Sequence, residues 1–222
     1  MGFLKKVDGR WTQVDAFYTS ATSGDFYLFN QESIESDFGV FVTDRWGNIS
    51  NTTYVSGETW FEEECNKNLF KNMALRSDTY ECHSWNEITK QNDISKLWDG
   101  VTTVDPVFQT KTNTTMPQWF TIDLGKEYNL SRFVMNTRYY PTSTNPYGNA
   151  FKNGHPKRFE IWGSNNPNPD GSYDGSWYLI SDYTSVKPSG DTPGATSEED
   201  KELVRNGEIF LIPPGSPSAR YI

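Results

Sequence analysis

The chain has 222 residues, 15% of them aromatic, and its 29 acidic against 20 basic side chains give a formal net charge of -9. A negative potential repels phosphate backbones and anionic lipids, which argues against nucleic acid as a partner and against phospholipid binding. No segment approaches the roughly 20 consecutive apolar residues of a membrane span, and the sequence shows neither a transmembrane segment nor an export signal.

Residues 1–60 predict a small, partial β unit. The run SDFGVFVTDRWGNIS at 36–50 is typical of a strand that enters a Gly-Asn turn, and a second strand, TTYVSG, follows at once. This hairpin, with DRWGN as its turn, resembles the closing hairpin of a fibronectin type III-like sandwich. Because such sandwiches need roughly 100 residues, we expect the chain to begin inside this unit.

Residues 61–78 predict a linker, because the segment is polar and acidic with only scattered apolar side chains. The only two cysteines, Cys65 and Cys82, flank this junction. In an oxidising compartment they could form a disulfide worth about 3 kcal/mol. Two unrelated thiols are the alternative, and the sequence leaves both open.

Residues 79–222 predict an antiparallel β-sandwich. Five strand-like runs are separated by polar loops rich in Asn and Pro, with no helical period between them. The last residues, ARYI, are typical of a strand that is interrupted, so we expect this domain to be truncated at its C-terminus. The runs are PQWFTIDLG, LSRFVMNTRYY, PKRFEIWGS, GSWYLISDY and GEIFLIP, and the predicted core residues are Trp119, Phe120, Ile122, Phe133, Phe159, Ile161 and Trp177.

Several ordered motifs in residues 79–222 carry a resemblance to a known family. An Asp99–Gly100 turn precedes Trp119 and a strand that ends in Asp-Leu-Gly at 123–125, and Trp177 opens a strand after the loop that follows Ser164. This order resembles discoidin-like (factor five/eight type C) domains and family 32 carbohydrate-binding modules. The resemblance implies an all-β fold, a galactose-binding-like antiparallel β-sandwich (jelly roll), preceded by the partial fibronectin type III-like unit.

The order of the two units, with DRWGN in the first, also resembles surface lipoproteins of gut bacteria encoded in polysaccharide-utilisation loci. That resemblance implies an extracellular or outer-membrane location, with a glycan or polysaccharide as the partner.

Catalytic patterns are not found in the sequence. It contains neither G-x-S-x-G nor H-E-x-x-H nor a Gly-rich phosphate loop, and His83 and His155 are its only histidines. The acidic runs at 62–64 and 198–200 are more typical of solvated linker or loop segments than of a pair of glycosidase carboxyl groups. We therefore predict that the chain is not an enzyme.

The stretch from residue 138 to residue 155 combines the residue types that bind sugars. Aromatic faces can cover the apolar side of a pyranose, while Arg, Asn and His bond to its hydroxyl groups. The alternative is that the tyrosines finish a strand and the loop only covers a sheet edge. The predicted ligand-binding residues are Arg138, Tyr139, Tyr140, Tyr147, Asn149 and His155, with Asn145, Phe151 and Asn153 as further candidates.

The discoidin-like resemblance also implies a structural Ca²⁺ at the Asp-Gly turn, where Asp99 and Thr103 occupy the matching positions. Hard oxygen ligands suit this ion. In the family a glutamate near the C-terminus closes the site, and this chain ends before any such residue. The alternative is that Asp99 caps its own turn through side-chain to backbone hydrogen bonds.

These features together predict non-catalytic carbohydrate binding by a bacterial cell-surface protein that is accessory to polysaccharide capture. The alternative is a protein-binding or cell-adhesion module in which the same loops contact a partner protein. Phospholipid binding is a third reading, and the net charge of -9 counts against it.

Overall fold

The computed structural model describes residues 1–20, 22–23, 26–29, 31–80, 82, 93–103, 107–152, 154–172 and 174–222. The chain divides into two compact units, Met1–Glu64 and Cys65–Ile222. Every pairing between the strands of the structure is antiparallel. The predicted all-β sandwich class is therefore confirmed.

The first unit is one four-stranded sheet in the order β2-β1-β3-β4. Its core lies on the face that carries Phe3, whose ring centroid lies 5.3 Å from that of Phe17 and 6.2 Å from that of Phe26. Phe3 is buried because these rings cover it. The strands are β1 (Gly2–Val7), β2 (Arg10–Ala16), β3 (Glu35–Phe41) and β4 (Thr53–Glu58).

The predicted hairpin in the first unit is confirmed by the pairing of β3 with β4. At its turn, the Asp44 carboxylate accepts the backbone N–H groups of Trp46 and Asn48, both at 2.9 Å, and the side-chain amide of Asn48 at 2.8 Å. The hydrogen bond from the Asn48 side chain is the main cause that lowers the pKa of Asp44. Gly47 takes the left-handed φ of +87° that the turn requires.

Within its described residues, the second unit contains three small antiparallel sheets, β11-β6-β5, β10-β7 and β8-β9, and one helix. Each of the five predicted runs overlaps one of its strands. Two single 3-10 turns lie at Lys67–Leu69 and Ile94–Leu97. The elements are β5 (Lys71–Asn72), β6 (Ile122–Tyr128), β7 (Arg132–Met135), β8 (Arg158–Gly163), β9 (Tyr178–Thr184), α1 (Glu198–Asn206), β10 (Glu208–Leu211) and β11 (Ala219–Tyr221).

An aromatic cluster joins two of these sheets into packed layers. Phe133 of β7 stacks on Phe210 of β10 at 5.0 Å between ring centroids and meets Phe159 of β8 edge-on at 5.9 Å. Tyr183 of β9 closes the cluster at 5.3 Å from Phe133. Of the seven predicted core residues only Ile122 of β6 is buried, and the other six, Phe133 and Phe159 among them, are half-buried.

The segment predicted as a linker belongs in part to the second unit. From Cys65 onward the chain clusters with that unit, β5 pairs with β6, and Leu75 is buried. Cys65 and Cys82 are both thiols in the structure, so the disulfide alternative is not formed there. Burial raises the pKa of the Cys82 thiol.

The acidic run at residues 198–200, predicted as a solvated loop, begins a helix instead; Glu198 and Glu199 are exposed as predicted, but Asp200 is not. Ser197 caps α1 there: its hydroxyl accepts the Asp200 N–H at 3.1 Å, and the Asp200 carboxylate accepts the Ser197 N–H at 3.1 Å. Asp200 is fully buried. The spacing S-x-x-D, followed by Leu203 and Val204, is a capping-box pattern, and it was the signal that could have identified this helix.

No helix in the described part of the chain is both long and apolar enough to cross a lipid bilayer.

Candidate functional site

The predicted binding loop connects β7 to β8 and is built from consecutive turns. The N–H of Tyr140 donates to the carbonyl of Pro146 at 3.1 Å, and the N–H of Ala150 donates to the carbonyl of Tyr147 at 3.1 Å. Ala150 is fully buried, so the turn is fastened to the body of the unit. The loop therefore has a defined backbone on which its side chains are displayed.

A second segment, just before α1, braces this loop. The N–H of Gly194 donates to the carbonyl of Ala150 at 3.0 Å, and the N–H of Ala195 donates to the carbonyl of Tyr147 at 3.2 Å. The position of the Tyr147 backbone is thus fixed from both sides of the turn.

Two of the predicted residues form a stacked aromatic pair. The ring centroids of Tyr139 and Tyr147 lie 5.2 Å apart with an interplanar angle of 27°. Arg205 of α1 donates to the Tyr147 hydroxyl at 2.8 Å, and the Lys201 Nζ lies 5.9 Å from the centroid of the Tyr147 ring. We call Tyr139, Tyr147, Lys201 and Arg205 the tyrosine platform.

Hydrogen bonds shift the pKa of both tyrosines of the platform. The hydrogen bond from Arg205 is the largest effect that lowers the pKa of Tyr147, and the hydrogen bond with Tyr147 raises the pKa of Tyr139. The sequence prediction missed Lys201 and Arg205. Their i, i+4 spacing places both on one face of α1, but that signal required the helix itself to be predicted.

A buried ion pair lies in the segment that braces the loop. The Nζ of Lys187 is 3.4 Å from the Asp200 carboxylate and donates to the Thr192 carbonyl at 2.8 Å. The same carboxylate accepts the hydroxyl of Ser189 at 2.6 Å and the N–H of Thr196 at 2.8 Å. Burial alone would raise the pKa of Asp200, but these hydrogen bonds outweigh it and lower the pKa far below its usual range.

The other predicted ligand residues are spread along the loop. Arg138 donates from Nη2 to the Oε1 atom of Gln109, Tyr140 accepts the Ser143 N–H at its carbonyl, and Asn149 is half-buried. Asn153 lies outside the described residues. The structure brings Tyr139 and Tyr147 together, and the ligand role of every residue in the loop stays a prediction.

His155 is engaged in a hydrogen-bond chain. Its Nε2 is 3.1 Å from the Ser185 hydroxyl, and that hydroxyl donates to the Glu208 carboxylate at 2.6 Å. Because Ser185 gives its one proton to Glu208, Nε2 of His155 must carry the ring proton and donate it. Burial lowers the pKa of His155, and the charge of Glu208 opposes this effect.

Replacing His155 by glutamine is expected to weaken the pH dependence of stability. With a lowered folded pKa, the neutral ring stabilises the fold above its ordinary pKa of 6.5. That stability is lost as pH falls below 6.5 and through the folded pKa, because the unfolded chain binds a proton first. Urea unfolding from pH 7.5 to pH 5 should show a steeper loss for the wild type than for His155→Gln, and equal slopes would contradict the assignment.

The structure shows the turn-capping alternative at the predicted calcium site. The Asp99 carboxylate accepts the Val101 N–H at 2.9 Å and pairs with the Lys96 ammonium at 3.0 Å. Thr103 is exposed. No group of three or more His, Cys, Asp or Glu side chains that could hold a metal occurs within the described ranges. Calcium stays a prediction, and Asp99 would have to release Lys96 to bind it.

The Asp-Leu-Gly motif connects the last strand to the sheet. Asp123 accepts Nε and Nη2 of Arg220 at 2.9 and 3.0 Å, and also the N–H of Gly125 at 2.7 Å. The hydrogen bond from Arg220 is the main cause that lowers the pKa of Asp123. Leu124 is buried. The motif therefore has a structural role, since it fastens β11 to β6.

Two family models match the chain. A domain of unknown function, DUF5000, matches residues 98–222, and another domain of unknown function, DUF5126, matches residues 2–68. No curated protein matches. The solved structure of SusE-like protein BT2857 is similar to this chain, with a TM-score of 0.58 and 26% sequence identity over 99% of this chain and 79% of that one. The discoidin-like resemblance itself stays a prediction.

Proposed function

The chain belongs to the DUF5000 family, and we propose that it is a non-catalytic glycan-binding protein of a bacterial cell surface, accessory to polysaccharide capture. The similarity to a SusE-like protein over nearly the whole chain supports this role. The resemblance to carbohydrate-binding modules supports the same ligand class.

The tyrosine platform is the observation that carries the proposal. A pyranose presents C–H groups on one side and hydroxyl groups around its rim, so it needs an aromatic face with polar groups beside it. The stacked pair of Tyr139 and Tyr147 offers the face. The Arg205 guanidinium at the Tyr147 hydroxyl and the neighbouring Lys201 offer donors to sugar oxygens.

Binding at a single platform is expected to be weak. Covering apolar surface contributes roughly 25 cal/mol per Å², so that one or two rings give only a few kcal/mol. The dissociation constant should then lie in about the micromolar to millimolar range.

Replacing Tyr147 by alanine is expected to reduce glycan affinity about tenfold or more, because the stacking surface is removed. A glycan array followed by calorimetry on the best ligand measures this effect, and the melting temperature shows whether the fold is intact. The matched control is Tyr147→Phe, which keeps the ring and removes only the hydroxyl with its hydrogen bonds to Arg205 and Tyr139.

The phenylalanine variant should keep most of the affinity if stacking provides most of the binding energy. An array on which the wild type binds no glycan would reject the proposed function and favour the adhesion alternative. Parent-like affinity in Tyr147→Ala would place the glycan site elsewhere in the chain.

A further inference from the structure

We propose that the first unit carries a second carbohydrate-binding surface, formed by Trp11 of β2 and Tyr54 of β4, whose ligand is a neutral oligosaccharide. The inference rests on the proposed function for its ligand class. It concerns a different unit and different residues, so that the two can fail separately.

The register of the sheet places these residues on its outer face. Side chains alternate along a strand, and in β1 Phe3 points into the aromatic core while Leu4 and Lys6 point the other way. Lys6 pairs with Trp11 on the neighbouring strand, so that both side chains share the outer face. Tyr54 is opposite Gly39, and Gly39 is opposite Leu4, so Tyr54 lies on that face too.

Gly39 gives the Tyr54 ring room to lie across the sheet. A Cβ atom at Gly39 would be 3.1 Å from two atoms of the Tyr54 ring, so the ring occupies the space above this glycine. It reaches Trp11, with 4.6 Å between ring centroids and an interplanar angle of 39°. Trp11 is 39% exposed and Tyr54 is 55% exposed. Two aromatic rings in mutual contact thus face solvent on a sheet face that is usually polar.

A row of polar side chains borders the rings. The Lys6 ammonium lies 5.9 Å from the centroid of the Trp11 ring and donates to Asp37 at 3.2 Å. The same carboxylate accepts the Ser56 hydroxyl at 2.6 Å, and this bond is the main cause that lowers the pKa of Asp37. A sugar whose apolar side covers the rings would therefore find an ammonium, a carboxylate and a hydroxyl at its rim.

A cleft of about 550 Å³ adjoins this row and has room to continue an oligosaccharide beyond the rings. Lys6 and Asp37 belong to both the row and the cleft wall. The wall has an excess of carboxylates over ammonium groups, which disfavours uronic acids and sulfated sugars. Its charged residues are Lys5, Lys6, Asp8, Glu32, Glu35 and Asp37.

The charged side chains beside the rings suit a neutral sugar as the occupant. Lys6 and Asp37 border the rings. Hydroxyl groups accept and donate hydrogen bonds to such side chains without bringing a charge of their own.

The test is affinity gel electrophoresis of the full chain. The probes are the neutral polysaccharides mannan, galactan, arabinoxylan and dextran, with polygalacturonate as the anionic probe. The variants are Trp11→Ala, Tyr54→Thr, Tyr147→Ala and the combination of Trp11→Ala with Tyr147→Ala. Trp46→Ala is the matched control, since Trp46 is an exposed tryptophan of the same unit at the hairpin turn.

We expect Trp11→Ala and Tyr54→Thr each to weaken retardation by a neutral polysaccharide about fivefold or more. Tyr147→Ala alone should leave some retardation, and adding Trp11→Ala to Tyr147→Ala should abolish it. Trp46→Ala should behave as the wild type, and polygalacturonate should retard none of them. Melting temperatures identify any variant that loses binding by unfolding. If Trp11→Ala unfolds the first unit, Tyr54→Thr on the edge strand β4 decides the outcome.

Wild-type retardation that persists in Trp11→Ala and Tyr54→Thr, also in the Tyr147→Ala background, would overturn the second surface and leave the proposed function standing. A wild type that no polysaccharide retards would overturn both. If Trp46→Ala weakens retardation as much as Trp11→Ala does, the second surface would also be overturned, because the loss would then not be specific to Trp11.

Discussion

Asp200→Ala is expected to lower the free energy of unfolding of the second unit by about 3–5 kcal/mol, because it leaves the ammonium of Lys187 buried without its charged partner. Lys187 is 5% exposed at its side chain and Asp200 is fully buried, so that water cannot replace the lost carboxylate. The change also removes the acceptor of the N–H groups of Ser189, Thr196 and Ser197. Urea unfolding monitored by tryptophan fluorescence measures the effect.

The control for this prediction is the pair of changes Lys187→Met and Asp200→Ala in one chain. Removing both charges should lower the free energy of unfolding by less than the sum of the two single changes, because neither charge is then left unpaired. Since the pKa of Asp200 is lowered, its stabilisation is present above the unfolded value of 3.8 and is lost only as pH falls through the folded pKa. Additive costs at neutral pH would contradict the role of the ion pair.

Gly125→Ala is expected to destabilise the second unit by about 2–5 kcal/mol, from two separate effects. Gly125 has a left-handed φ of +83°. An added Cβ would lie 2.5 Å from the Leu69 Cβ and 2.9 Å from the Leu69 carbonyl oxygen. The backbone of the 3-10 turn at Leu69 would have to move, which would strain the pairing of β5 with β6.

Gly215→Ala is the matched control, because Gly215 has a φ of +82° and nothing lies within 4 Å of an added Cβ. This change should lower the free energy of unfolding by about 1–2 kcal/mol, because it adds only the strain of a left-handed backbone at that position. The difference between the two variants in urea unfolding then measures the collision with Leu69. Equal losses would show that this collision is relieved at no cost.

The sequence predicts much of the strand content, because alternation and turn residues are local signals. The runs around Phe133 and Phe159 each contain a strand, and DRWGN forms the turn that its Asp and Gly favour. The Asp-Leu-Gly motif also has a physical reason in the bidentate pair of Asp123 with Arg220.

The remaining features depend on contacts between distant parts of the chain. Trp11 and Tyr54 meet across the sheet only because of the strand order β2-β1-β3-β4, which no local pattern specifies. Tyr147 meets Arg205 because α1 docks beside the loop, and the sequence interpretation treated the start of α1 as a loop. The cysteine pair shows the same limit, since spacing alone does not determine whether two thiols lie close together.

The braced backbone around Tyr147 sets the time scale on which a sugar would be exchanged. The hydrogen bonds from Gly194 and Ala195 hold the loop before any ligand arrives, so association needs no rearrangement and can proceed at an ordinary rate for a preformed site. Combined with a dissociation constant in about the micromolar to millimolar range, that rate gives residence times from about 0.1 ms to about 10 s. A polysaccharide with many equal repeats would then be released and recaptured quickly, which lets a polymer move on to a neighbouring protein while it stays near the surface.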